Sequence, residues 1–237
     1  MKRAIVLVVD SLGVGYMEDV SKCRPQDMGA NTFKHILDKE REIQIPNFEK
    51  LGINKILKHE NLRDIDNIGS YGVLNLGHYG ADSFVGHQEI MGTKPKKPLM
   101  KSFSYFRDEV IERLKNEGHK VIIPEGDKSY ILVDNLVVVA DNIETDYGQI
   151  FNVTAPLDYI SFDKVLEIGQ IVRSVVKVNR VIALGGENVS IEQILNSIEE
   201  REDGLIGVNS PKSGVYNKGY ISRHLGYGIN PENQITT

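Results

Sequence analysis

Cysteine is nearly absent. Cys23 stands alone among 237 residues, so no disulfide framework closes within one chain. No apolar run approaches the roughly 20 residues that a membrane-spanning helix needs. An excess of positive charge is missing too: Lys and Arg number 28 against 33 Asp and Glu, a formal charge of −5, and the pI is near 5.7. Phosphate backbones demand clustered Lys and Arg, and the short run Lys94-Pro95-Lys96-Lys97 reads as a solvated loop. The expectation is therefore no nucleic-acid partner and no membrane. After Met1-Lys2-Arg3 the chain enters an apolar stretch without a small-residue cleavage site, so a cytoplasmic location is the default expectation. Internal repeats and low-complexity tracts are absent as well. What remains is an ordinary globular composition, 41% hydrophobic and 26% charged, with length for one large domain or two smaller ones.

The most informative stretch present is Ala4-Ile5-Val6-Leu7-Val8-Val9-Asp10-Ser11-Leu12-Gly13-Val14-Gly15. An unbroken β-branched run predicts a central strand covered on both faces, and chemistry in open α/β sheets sits at the carboxyl ends of such strands. Asp10 falls there, and a carboxylate is a hard oxygen ligand for Mg²⁺ or Mn²⁺. The competing reading is a turn or helix N-cap aspartate, and the segment alone slightly favours it.

Further along, Asn31–Leu37 predicts a helix capped by Asn31 or Thr32. Ile45–Gly52 predicts an extended lead-in, a short helix and a glycine stop. A short strand is expected near Tyr71–Leu76, and Gly77–Lys97, dense in glycine and polar residues, is expected as a functional loop. From about Pro98 the pattern changes. Phe103–Asn116 and Phe162–Val176 have helical spacing, Ile191–Glu202 is a third candidate helix, and Lys120–Pro124, Ser129–Val133, Leu136–Ala140 and Arg180–Leu184 predict strands. One strong strand before residue 97 is too few for a sheet. The layout is that of half a domain followed by an inserted one.

Several segments together resemble phosphopentomutase, within the alkaline phosphatase superfamily. They are Val8–Gly15, Asp27–Ile36, Ile45–Gly52 and, most specifically, Asp82-Ser83-Phe84-Val85-Gly86-His87-Gln88-Glu89-Ile90-Met91-Gly92, with weaker echoes at Arg180–Ala183 and Ser222-Arg223-His224. The resemblance implies an α/β fold: a partial alkaline-phosphatase-like core at 1–97, an inserted α/β cap domain at 98–220, and a return segment toward the core at 221–237. It implies transfer of phosphate between C1 and C5 oxygens of ribose or deoxyribose through a phosphorylated threonine, with two Mn²⁺ ions as the clamp. Asp10 then falls on a metal-ligand position, Arg223 and His224 on a substrate-side pair, and Asp146 opposite a cap aspartate that meets the sugar. His87 and Glu89 hold the loop by hydrogen bonds, and His35 is structural.

The departures matter equally. The nucleophilic threonine of the family falls on Val85, which has no hydroxyl to accept a phosphoryl group. Ser83, two residues away, carries one but would need a rearranged loop. A phosphate-binding arginine of the cap falls on Leu184, beside Gly185-Gly186, which reads as a turn or a backbone anion-binding loop. The remaining metal ligands of the family belong to a C-terminal half beyond the matched part, so Mn²⁺ or Mg²⁺ is expected only if a partner completes the site. Three readings follow. The chain is one half of a split metal-dependent phosphotransfer or hydrolytic enzyme, with a second chain or a homo-oligomer supplying the rest. It is a non-catalytic subunit that binds a small phosphorylated or polar ligand or another protein. Or it is a truncated product, whose polar ending Asn230–Thr237 leaves both a natural tail and an interrupted return open. Whether it is an enzyme stays open at this level.

Overall fold

The computed structural model describes residues 5–126 and 129–229. The chain divides into two compact units, Met1–Ala81 and Asp82–Thr237.

The first unit is a set of short helices: α1 (Val20–Cys23), a single 3₁₀ turn at Pro25–Asp27, α2 (Thr32–Lys39), α3 (Pro46–Lys50) and α4 (Ile53–Leu57). Helix α2 starts where a free backbone N–H needs an acceptor: the Asn31 side chain takes the N–H of Lys34 at 3.0 Å. Its apolar stripe places Phe33 and Leu37 against Leu62, with Leu12, Ile45, Phe48, Ile53 and Leu57 around them. Phe33 and Phe48 meet edge to face at 5.4 Å. The buried carboxylate of Glu49 is satisfied by the backbone N–H of Arg63 at 2.8 Å and by its guanidinium at 2.6 and 2.9 Å. Gly52 has φ +93°, and a β-carbon there would stand 2.8 Å from the Tyr71 ring, so the predicted stop is required twice over.

The predicted central strand does not form in this unit. Ala4 lies outside the described residues, and residues 5–9 belong to no strand. Ile5 and Leu7 are 93% and 87% exposed. The same holds for the strand expected near Tyr71–Leu76, where Leu74 is 92% exposed. The reason is physical. An apolar run states what a sheet would gain by burying it, but a strand exists only when neighbours take its backbone N–H and C=O groups.

The second unit opens with α5 (Ser83–Ile90), inside the stretch expected as a loop. Then follow α6 (Phe103–Asn116), β1 (Val121–Ile122), β2 (Ile131–Val133), β3 (Val137–Asp141), β4 (Ile150–Pro156), α7 (Phe162–Val175), β5 (Arg180–Gly186), α8 (Ile191–Asn196), β6 (Ile198–Glu200), β7 (Ile206–Val208), α9 (Ser210–Ser213) and β8 (Ile221–Gly226). Six strands form one sheet in the order β1-β2-β3-β4-β5-β8, and β6 and β7 make a separate hairpin. Only β4 and β5 run parallel in that sheet, joined by α7 as a parallel pair requires. The architecture is mixed α/β with a mostly antiparallel sheet. The β2–β3 turn uses Asp134 and Asn135 at φ +50° and +60°, the conformation of a tight hairpin.

Side chains alternate across this sheet. Val181 and Ala183 face a core shared with Phe103, Phe106, Val110 and Leu114 of α6 and Val165, Ile168 and Val172 of α7. Ile182 and Leu184 face the opposite core with Val138, Val189, Ile194 and Val215. The strands β3 and β4 are buried at every residue, because both faces are covered. The helix expected over Ile191–Glu202 ends at Asn196, and Ile198–Glu200 pairs with Ile206–Val208. Gly185 and Gly186 form neither a turn nor an anion loop. They are strand residues paired with Ala155 and Pro156, and a β-carbon on Gly186 would lie 2.1 Å from the Val215 carbonyl oxygen.

Candidate functional site

The strongest constellation lies where α5 meets the start of β5 and the end of β8. Asp82 is the N-cap of α5, its Oδ1 accepting the N–H of Phe84 at 3.0 Å. That same carboxylate is buried, and a buried charge needs a partner. Its Oδ2 lies 3.1 Å from Nε of Arg180 and accepts from Nδ2 of Asn179 at 3.4 Å. The Arg180 guanidinium stands 5.3 Å from the centre of the Phe84 ring. Its Nη1 is 2.9 Å from Nδ1 of His224, whose ring is 5.5 Å from that of Phe84. The sheet register explains the meeting: Arg180 pairs with Gly226 and Ile182 with His224, so Arg180 and His224 emerge on one face. Burial lowers the pKa of Arg180, with Asp82 opposing. Burial, and then the neighbouring Arg180, lowers that of His224.

Val85 sits half-buried in the first turn of α5 and Ser83 is exposed. Residues two apart on a helix point to different sides, so the Ser83 hydroxyl and the Val85 side chain do not share a face. His87 is exposed and Glu89 half-buried on the same helix. Their carbonyls accept from Met91 and Gly92 at 3.2 and 2.9 Å and close its end.

The predicted pair Arg223 and His224 is split by the strand. Arg223 pairs with Ala183 and takes the face of α6 and α7, while His224 takes the other. Asp146 lies on the β3–β4 connection, its carbonyl accepting from Gln149 at 3.2 Å. Its charge acts on Arg201, which is anchored to Ile143 and Thr145 carbonyls and to Asp203. Leu184 is buried in the core. Asp10 belongs to the first unit. Among the described residues no three His, Cys, Asp or Glu side chains converge to hold a metal ion.

Sequence reasoning missed Asp82 and Arg180 as a pair. The available signal was a single arginine opening an otherwise apolar strand, Arg180-Val181-Ile182-Ala183-Leu184. Its partner, Asp82, stands nearly a hundred positions earlier in the chain, beyond any local pattern.

Comparison with known proteins gives consistent relatives. The chain is 31% identical over 196 residues to the phosphopentomutase of Caldanaerobacter subterraneus subsp. tengcongensis, covering 77% of this chain and 49% of that protein. It is 26% identical over 190 residues to the phosphopentomutase of Alkaliphilus oremlandii, with 77% and 48% covered. It is 33% identical over 179 residues to that of Limosilactobacillus reuteri, with 70% and 40% covered. No protein-family model matches. The chain spans about half the length of the curated relatives it matches. Over some three quarters of its own length, the chain is similar to about half the extent of a phosphopentomutase, a phosphopentomutase-like relative with partial coverage.

Proposed function

We propose that this chain is the cap-bearing half of a split, metal-dependent enzyme of phosphopentomutase type, which handles a small phosphorylated sugar but does not run the phosphothreonine cycle itself. In this reading, the first unit is the beginning of an alkaline-phosphatase-like core, and the second unit is largely the inserted cap. The observation that carries it is the apolar run Ile5–Val9, exposed and outside any strand. Strand-forming residues of this kind gain about 25 cal/mol per Å² when covered, and an uncovered run is a site of association. The proposal is that a second polypeptide supplies the neighbouring strands and the metal ligands that Asp10 lacks, so that Mn²⁺ or Mg²⁺ is held only by the assembly.

A second reading rests on a different observation. Val85 and Leu184 replace the hydroxyl and the charge that the resemblance implies, and Leu184 is fixed in a core. The chain would then bind a phosphorylated or polar ligand without turnover. Native mass spectrometry of the protein purified from its own cells separates the two. A complex with a different chain and two metal ions is expected for the split enzyme. A metal-free monomer or homodimer refutes it and leaves the binding protein.

A further inference from the structure

The contact between Arg180 and His224 has a chemical consequence. A guanidinium has only donors and does not lose its proton in proteins. The ring nitrogen that faces Nη1 at 2.9 Å must therefore offer a lone pair, and the proton of the neutral imidazole must sit on the other nitrogen. A protonated ring would put two cations in contact. We propose that Arg180 is a positioning residue that holds His224 as the neutral Nε2–H tautomer, so that His224 presents a hydrogen-bond donor, and not a base, to a phosphoryl oxygen.

Each part of the clamp has its support. Arg180 is fixed on a second side by the Asp82 carboxylate at 3.1 Å and on a third by the Phe84 ring. Asp82 is in turn held by Asn179 and by the first turn of α5. The charges that act on His224 are Arg180 and, behind it, Asp82, and the Phe84 ring stands beside it. Burial and the arginine both disfavour the charged imidazole, and Asp82 opposes them. The residue itself is exposed, which leaves its far nitrogen a route to ligand. An anion is the fitting acceptor, since hydrogen bonds to charged oxygen are the stronger ones. The choice of phosphate rests on the sugar-phosphate reading above; the tautomer does not.

The test is ¹⁵N-resolved NMR of the His224 ring in the intact chain. At pH 7 an unprotonated Nδ1 and a protonated Nε2 are expected. An Nδ1–H tautomer or a charged ring overturns the assignment. In Arg180→Met, both tautomers are expected to be populated; a folded variant that keeps a single Nε2–H form removes the role of Arg180. If that variant does not fold, acid titration of the parent decides. The Arg180 side-chain N–H resonances must shift together with His224, and independent behaviour refutes the contact. Titration with inorganic phosphate is expected to move the Nε2–H resonance, with about fivefold weaker binding in His224→Ala. Equal affinity overturns the donor role. No phosphate binding by either protein removes the sugar-phosphate reading, whereas a wrong tautomer removes the lock alone.

Discussion

Two residues set opposite kinds of limit. In the proposed reading Val85 sets a chemical one: it stands where the resemblance places a threonine, and its methyl groups accept no phosphoryl group. Val85→Thr alone is expected to give no transfer between the C1 and C5 oxygens of ribose phosphate, because no described cluster assembles a metal pair. Appreciable turnover in that variant, followed by product formation from ribose 1-phosphate, would contradict the proposed division of the enzyme. Asp141 sets a limit on stability. It is fully buried, accepts the N–H of Phe103 at 2.8 Å and of Ile206 at 3.4 Å, and burial raises its pKa to about 6 despite those bonds. A carboxyl raised in the folded state binds its proton more tightly there than in the unfolded chain. Its contribution to stability is therefore present in acid and is lost as pH climbs from about 4 to about 6. Asp141→Asn keeps an oxygen acceptor and removes the charge. Relative to the parent, it is expected to gain on the order of 2 kcal/mol between pH 4.5 and pH 7.5, measured by urea unfolding at both values. A constant difference between the two proteins refutes the buried charge as its cause.

Elements show which parts of the fold are legible in one sequence. Periodicity locates α6 and α7 almost to the residue, because one stripe of each faces a core and the other faces water. It also finds β2, β3 and β5, whose apolar runs are bounded by turn residues. It misses β4, where Asn152 and Thr154 interrupt the apolar pattern although both are buried. It misses β8 too, an edge strand with mixed exposure whose identity comes from pairing with β5. Helix α5 hides behind Val85 and Gly86, poor helix formers, and depends on the Asp82 cap. At the site, Val85, Ser83, His87, Glu89 and His224 are visible as residues; the clamp on Arg180 depends on contacts that bring the α5 cap to β5 and β8. Glycines in β5 carry a further lesson, since Gly186 is required by the approach of the Val215 backbone rather than by a turn. Gly186→Ala is expected to cost about 2–3 kcal/mol and to lower Tm in a thermal melt. An unchanged Tm would show that the α9 region yields.

For the whole molecule, the contrast between the units is the main result. The second unit buries a sheet on both faces, whereas the first leaves its most apolar run exposed. Hydrogen exchange by mass spectrometry is expected to show slow amides in β3, β4 and β5 and fast ones at residues 5–9 and 71–76. Protection of residues 5–9 in the isolated chain would mean that they find strand partners without a second polypeptide, and would remove the main support for a split enzyme.

The placement of β8 at the sheet edge carries one more consequence, for synthesis. Strands β1 to β4 are antiparallel neighbours in chain order, and β5 joins β4 through α7, so these pairings close over short stretches of chain. The last strand reaches β5 only after α8, the β6–β7 hairpin and α9 have been made. A chain growing from its N-terminus at about 5–20 residues per second therefore exposes Arg180 before His224 exists. Asp82 is already present. In this order of synthesis the carboxylate and the guanidinium have both been made seconds before the imidazole that completes the clamp.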